Sequence, residues 1–299
     1  MKGLFRYRII YCREVFALAK VQVVMDTVHY FAGDKISGHV IITSKKDLKQ
    51  NGITVLFRGQ ERVSFTEGSD EDEENYYETR SHVEQVIELV GKGKLPSGEH
   101  KFPFEFDIPG NVPSSYRGSS GNIIYVVIGK IERSWTLDPK DYQEIKVYQP
   151  AQMDIRNYVT TTDGCAYIQD NETRILSVEF LDDGVQLMKL LHFKVMISND
   201  VKIRGLRTRL MFRETVKAQG RYDKSLSVIL EDYFPESDIQ RDAWIHISME
   251  SKEVPLIPMG TQLIRAEPIL QVTLDIPRRL DISKEIPLYQ IDESWHTIH

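Results

Sequence analysis

Apolar residues recur along this chain at every second position, in short runs broken by turn formers. Val21, Val23 and Met25 open such a run, and the turn Phe31-Ala32-Gly33-Asp34 follows. Val40, Ile41 and Ile42 form a second strand that ends at Lys45-Lys46, and Ile53, Val55 and Phe57 alternate with Thr54, Leu56 and Arg58 before Gly59. Alternation with period two places one side-chain set on each face of a strand, so these runs predict half-buried β-structure. Residues 83–90 carry Val83, Val86, Ile87 and Val90 at a spacing that also fits a helix, but their β-branched content favours a strand. Ile123 to Ile131 is apolar on both faces except at Lys130, as expected of a central strand in a covered sheet.

The pattern pauses at Tyr148-Gln149-Pro150-Ala151 and a polar stretch, Arg156 to Asp163, then resumes. Phe193, Val195 and Ile197 alternate with polar or flexible neighbours, and so do Leu206, Thr208, Leu210 and Phe212; Ile269–Ile276 and Ile286–Ile291 close the series. The expectation is an all-β protein of two consecutive immunoglobulin-like β-sandwich domains joined by a short hinge. The boundaries read as a basic arm or extra strand over 1–20, a first sandwich over 21–150, a hinge over 151–160, a second sandwich over 161–291 and a short tail over 292–299.

Composition narrows the function. The 299 residues hold 38 Lys and Arg against 44 Asp and Glu, a net charge of −6, which argues against broad nucleic-acid binding. Cys12 and Cys165 cannot build a disulfide framework, so a reduced compartment is expected. No run reaches the 18 or so apolar residues of a membrane span, and the first twenty residues are too interrupted for a signal-peptide core. The eight histidines lack paired metal spacing, neither cysteine has a nucleophile or metal context, and no phosphate-cradling glycine loop occurs. No enzyme, no metal and no cofactor is expected.

Gly91 to Trp135 contains a distinctive succession: Leu95-Pro96-Ser97-Gly98, Phe102-Pro103-Phe104, and Pro113-Ser114-Ser115-Tyr116 leading into Ile123–Ile131. Together with Tyr30-Phe31-Ala32-Gly33-Asp34-Lys35-Ile36-Ser37-Gly38, it resembles the arrestin fold, and most of all the arrestin-domain-containing proteins, the α-arrestins. The retromer's arrestin-fold subunit family is the second resemblance. The second half fits more loosely, through Val178–Phe180, Asp182-Asp183-Gly184 and Ile197-Ser198-Asn199. Pro103 fits an edge strand, and Gly33, Gly98 and Gly110 fit turns that need a permissive backbone.

The resemblance implies a cytosolic adaptor, peripheral at plasma membrane or endosomes, that links receptor or transporter cytoplasmic segments to endocytic trafficking, ubiquitin-ligase or signalling machinery. The family's Pro-Pro-x-Tyr ligase-recruiting motif does not occur in these 299 residues, and His299 lies about eight residues past Ile291. The alternatives are a retromer-type scaffold in endosomal recycling and, from another class, a ligand- or carbohydrate-binding β-sandwich with a platform at Trp135 or Trp244.

Two charge patterns are candidate sites. Arg204, Arg207, Arg209 and Arg213 form a stripe for phosphate or anionic lipid; the last three share one strand face, and Glu214, Glu231 and Asp232 stand near enough in sequence to neutralise them. Lys2, Arg6, Arg8 and Arg13 in the N-terminal arm form a second cationic set for anionic lipid. The run Glu67–Glu78, with Glu67, Asp70, Glu71, Asp72, Glu73 and Glu74 at its centre, is either a self-repelling solvated loop or a dock for a basic partner segment.

Overall fold

A computed structural model describes residues 19–68, 72–134, 138–149, 165–170, 173–180, 190–250 and 258–288. In chain order its first strands are β1 (Ala19–Met25), β2 (His29–Phe31), β3 (Lys35–Ser44), β4 (Leu48–Gln50), β5 (Gly52–Glu67), β6 (Glu74–Val90), β7 (Gly93–Leu95), β8 (Gly98–Asp107), β9 (Tyr116–Arg117), β10 (Gly121–Glu132) and β11 (Lys140–Tyr148). There follow β12 (Cys165–Asp170), β13 (Thr173–Phe180), β14 (Leu190–Ile197), β15 (Gly205–Ala218), β16 (Arg221–Pro235), β17 (Ile245–Glu250), β18 (Met259–Gly260), β19 (Ile264–Asp275) and β20 (Ile282–Pro287). Among the described residues no helix is long and apolar enough to cross a membrane.

The strands pair into β-sandwich sheets of the arrangement the sequence predicts. A three-stranded sheet β1-β3-β8 accompanies a larger one ordered β2-β11-β10-β5-β6, and a β12-β13-β14-β17 sheet accompanies one ordered β16-β15-β19-β18 with β20 on β19. The chain divides into two compact units. The first takes the described residues up to Gly59, with Val83–Pro109 and Tyr125–Lys146; the second takes Gln60–His82, Gly110–Ile124 and the described residues from Val147 onward. Both are discontinuous, because β5, β6 and β10 each run from one unit into the other.

In the first unit Phe57 packs on Phe106 across the sheets at 5.8 Å and on Tyr125 at 6.2 Å. A Cβ at Gly129 would stand 3.0 Å from Val23 and 3.2 Å from Val40, which shows how closely the facing sheets approach. In the second unit Leu176, Val178, Phe193, Val195 and Ile197 of one sheet meet Leu206, Leu210, Leu270, Val272 and Leu274 of the other in one buried cluster. Burying such side chains is the main stabilising term of both.

Details of the sequence reading are met and corrected. Residues 83–90 are strand, inside β6. Pro103 lies in β8, an edge strand, where its missing N–H costs no ladder bond in a sheet interior. Gly33 and Gly98 do adopt positive φ, at 96° and 127°, but Gly110 does not, and a Cβ there would meet open space. Gly59 is no strand end. β5 continues through it to Glu67, because a Cβ at Gly59 would meet the Tyr125 ring at 2.3 Å and only glycine lets that ring lie flat there. Ala19 and Lys20 already belong to β1; the remainder of the expected arm, the 151–160 hinge and the 292–299 tail lie outside the described residues.

Candidate functional site

The longest exposed sheet edge of the second unit is β16. Among the described strands it pairs with β15 alone, at the end of its sheet, and it is fifteen residues long. Of the twelve exposed large hydrophobic residues among those described, four lie on this strand: Tyr222, Leu226, Val228 and Tyr233. The register shifts between Leu210 and Met211, so that Val228 faces Met211 and Leu230 faces Leu210 with Ile229 as the extra residue. That bulge keeps Tyr222, Lys224, Leu226 and Val228 on the same outer face as Glu231 and Tyr233. The turn that starts the strand is fixed. Gln219 and Gly220 both have positive φ, at 51° and 81°, the pairing a two-residue type I′ hairpin requires. Within the same unit the Gln219 N–H donates to Glu78 Oε2 at 2.9 Å, and its side-chain amide donates to the Tyr77 carbonyl at 3.2 Å.

The arginine stripe lies behind this edge, and alternation does place Arg207, Arg209 and Arg213 on one face. Each is already paired. Arg209 Nε donates to Glu231 Oε2 at 2.6 Å, and Arg207 Nε lies 3.3 Å from Glu231 Oε1 without hydrogen-bond alignment. Arg213 reaches Glu267 at 3.3 Å and also Glu285. Arg204 holds Asp275, with Nε at 2.6 Å. Of the acids expected as partners only Glu231 serves. Asp232 and Glu214 face the other side of the sheet, and Glu267, Glu285 and Asp275 come from β19 and β20. An incoming phosphate must displace carboxylates that already match the guanidinium forks.

Two buried carboxylates lie on the inner side of the second unit: Glu61, which the charge pattern did not single out, and Glu214, which it offered only as a partner for the stripe. Glu214 is 3% exposed and accepts from Tyr116 Oη at 2.6 Å, Ser119 Oγ at 3.0 Å and the Ser120 N–H at 2.8 Å. Burial first, and the Glu214 carboxylate second, push the Tyr116 hydroxyl far above its ordinary range. A Cβ at Gly118 would sit 1.4 Å from Glu214 Oε2, so the cradle needs glycine there. Pro113–Tyr116, read as a fold signature, therefore also delivers a phenol to a buried acid. Glu61 is fully buried, 3.1 Å from His82 Nε2, and accepts a hydrogen bond from Thr261 Oγ1. Strand alternation through Val55, Phe57, Gly59, Glu61 and Val63 puts it inside.

The acidic run resolves into a hairpin. Glu67 ends β5 and Glu74 opens β6, while Asp72, Glu73 and Glu74 are exposed; Asp70 and Glu71 lie outside the described residues. Lys2, Arg6, Arg8, Arg13 and Trp135 also lie outside them. Trp244 is 37% exposed, and the Lys194 ammonium sits over its ring at 4.6 Å, so that face already has an occupant. Among the described residues no group of three or more His, Cys, Asp or Glu could hold a metal ion.

Residues 21–154 match the family described as arrestin (or S-antigen), N-terminal domain. Arrestin domain-containing protein 17 of Caenorhabditis elegans is 34% identical over 122 residues, covering 36% of this chain and 29% of that protein. Arrestin domain-containing protein 1 of Mus musculus is 31% identical over 117 residues, or 38% of this chain and 26% of that protein. Vacuolar protein sorting-associated protein 26C of Dictyostelium discoideum is 27% identical over 112 residues, with 35% and 37% covered. The chain thus spans well under half the length of each of these relatives. Residues 21–154 are similar to an arrestin N-terminal domain, and the curated relatives this chain resembles are arrestin domain-containing proteins.

Proposed function

We propose that this chain is a non-catalytic, arrestin-like adaptor that captures extended cytoplasmic segments of membrane receptors or transporters by strand addition along β16. The observation that carries this reading is a fifteen-residue sheet edge with four exposed large hydrophobics and a hairpin turn locked at its base. An open edge offers a row of backbone donors and acceptors, and side chains on its outer face select what pairs with it. The captured cargo would be handed to trafficking, ubiquitin-ligase or signalling machinery in the cytoplasm, at the plasma membrane or endosomes. The exposed hairpin acids Asp72, Glu73 and Glu74, with the half-buried Glu67, supply a second contact for a basic segment.

The test compares proteins recovered from detergent-solubilised membranes by the wild-type chain and by Val228→Pro, which blocks the edge without touching the core. Receptor or transporter tails present with the first and absent with the second support strand addition. Equal recovery by both rules out β16 as the site. The similarity to a vacuolar sorting protein favours one alternative, a retromer-type scaffold, and stoichiometric recovery of a helical-solenoid partner by both proteins is its signature.

A further inference from the structure

Of the seven asparagines in the chain, one, Asn51, precedes a glycine. It stands exposed at the joint between β4 and β5 and belongs to neither strand. Its N–H donates to the Glu132 carbonyl at 2.8 Å, and its side-chain amide donates to Ser134 Oγ at 2.9 Å. Gly52 has no Cβ to shield its backbone nitrogen from the Asn51 carboxamide, and the bonds between the two turn with little hindrance. The other six asparagines precede Tyr, Val, Ile, Glu or Asp, whose side chains crowd the same nitrogen.

The two strands that meet at this joint are held very differently. β5 runs for sixteen residues inside the larger sheet of the first unit. β4 has three residues and pairs with β7, where Leu48 faces Leu95, Lys49 faces Lys94 and Gln50 faces Gly93. The Gln50 side-chain amide adds one bond, to the Gly91 carbonyl at 2.8 Å. Leu48 and Leu95 are both buried under this small ribbon. A change of backbone length at Asn51 must therefore be taken up by β4, because β5 has far more to lose.

We propose that Asn51-Gly52 is a self-modifying site whose isoaspartate product unlatches the β4–β7 ribbon from the first unit. The Gly52 nitrogen gives its proton to water and attacks Asn51 Cγ. The N–Cγ bond forms, the Cγ–Nδ2 bond breaks, and Nδ2 takes a proton from water and leaves as ammonia. Water then opens the resulting succinimide. Opening at Cγ gives aspartate; opening at the main-chain carbonyl carbon gives isoaspartate, in which the chain runs on through Cβ and Cγ. One water is consumed and one ammonia released, with no redox change. Isoaspartate adds one carbon to the main chain between the Asn51 Cα and the Gly52 nitrogen. With β5 fixed, the Asn51 N–H then leaves the Glu132 carbonyl and β4 loses its register on β7. The reaction is irreversible, so the unlatched fraction rises with the age of the chain. The proposal goes beyond the adaptor reading and stands without it, since every residue involved lies in the first unit and β16 takes no part.

The experiment incubates the full chain under mildly alkaline conditions, follows Asn51 by peptide mass spectrometry, and follows the ribbon by amide hydrogen exchange. Folded wild type should gain about one dalton at Asn51, split between aspartate and isoaspartate peptides, while the other asparagines stay intact. Gly52→Ala should slow the gain by roughly tenfold. The substitution has room, since the nearest atoms to its Cβ are Glu132 Oε2 at 3.6 Å and the Val90 carbonyl at 3.8 Å. Asn51→Gln, whose six-membered ring closes far more slowly, provides the same block with the backbone unaltered. Aged wild type should exchange faster at residues 48–50 and 93–95 than fresh protein. Asn51→Asp, which carries the new charge without the inserted carbon, should exchange like fresh protein. Conversion in urea but not in the folded chain would show that the fold protects the site and would overturn the proposal. So would conversion with no change in ribbon exchange. Equal loosening in fresh Asn51→Asp would assign the effect to charge and remove the backbone mechanism.

Discussion

The two units handle polarity differently. Of the eleven buried polar or charged residues among those described, only Ser44 and Gln50 belong to the first unit. The second holds the other nine, including Glu61, Glu214, Glu267 and Asp275. The first unit is an apolar sandwich with Phe57, Phe106 and Tyr125 at its centre. The second couples an equally apolar cluster around Phe193 to satisfied buried acids. An unpaired buried charge is costly, whereas one that accepts two or three hydrogen bonds is tolerated and fixes the geometry of its donors. The difference teaches that the first unit is specified by shape and the second by shape together with hydrogen-bond matching.

Core truncation should be the largest effect and should treat both units alike. Phe57→Ala in the first and Phe193→Ala in the second should each cost about 3–5 kcal/mol in chemical denaturation. A much smaller loss in one would show that its core is less tightly packed than the other. Tyr116→Phe should come next, at about 1.5–3 kcal/mol, because it withdraws one donor from a buried carboxylate. A neutral result would remove the hydrogen-bond half of the comparison.

Tyr116 in the second unit and two acids in the first respond to pH with opposite sign. Tyr116 keeps its proton in the folded second unit well above the value near 10.0 at which the unfolded chain releases it. Its contribution is therefore intact below pH 10 and lost as pH rises beyond it, and Tyr116→Phe should flatten that alkaline decline. In the first unit the Arg133 N–H, with the Lys130 ammonium at 3.2 Å, holds Asp138 below its ordinary 3.8. The Lys94 ammonium and the Ser97 N–H do the same for Asp47. These contributions are present above pH 3.8 and lost as pH falls through the lowered values, so Asp138→Asn should flatten the acid limb. The smallest effect belongs to the stripe: Arg209→Ala should cost under about 1 kcal/mol, since its pair with Glu231 is solvent-screened.

Much of the fold was legible because β-alternation is local. The motif around Pro103 and Pro113–Tyr116 pointed to the arrestin-like β-sandwich fold, and period two grouped Arg207, Arg209 and Arg213 on one face. What escaped depends on contacts between residues far apart in the chain. Glu267 and Glu285 stand 54 and 72 residues from Arg213 and meet it only through the β15-β19-β20 pairing. Glu214 adjoins Arg213 in sequence, but the same alternation turns it to the opposite face, so proximity was the wrong guide. Glu61 escaped because Gly59 reads as a strand end until the Tyr125 ring is seen to fill the space a side chain would take.

The most direct test of strand addition is amide hydrogen exchange along β16, measured on the full chain with and without a synthetic peptide from a membrane-protein tail recovered by the wild-type chain and not by Val228→Pro. Protection that appears on the amides of residues 222–233 when the peptide is added, and is absent in Leu226→Asp, is the predicted result. Peptide binding with β16 amides unchanged, or protection confined to the β1 or β8 edge, would contradict it.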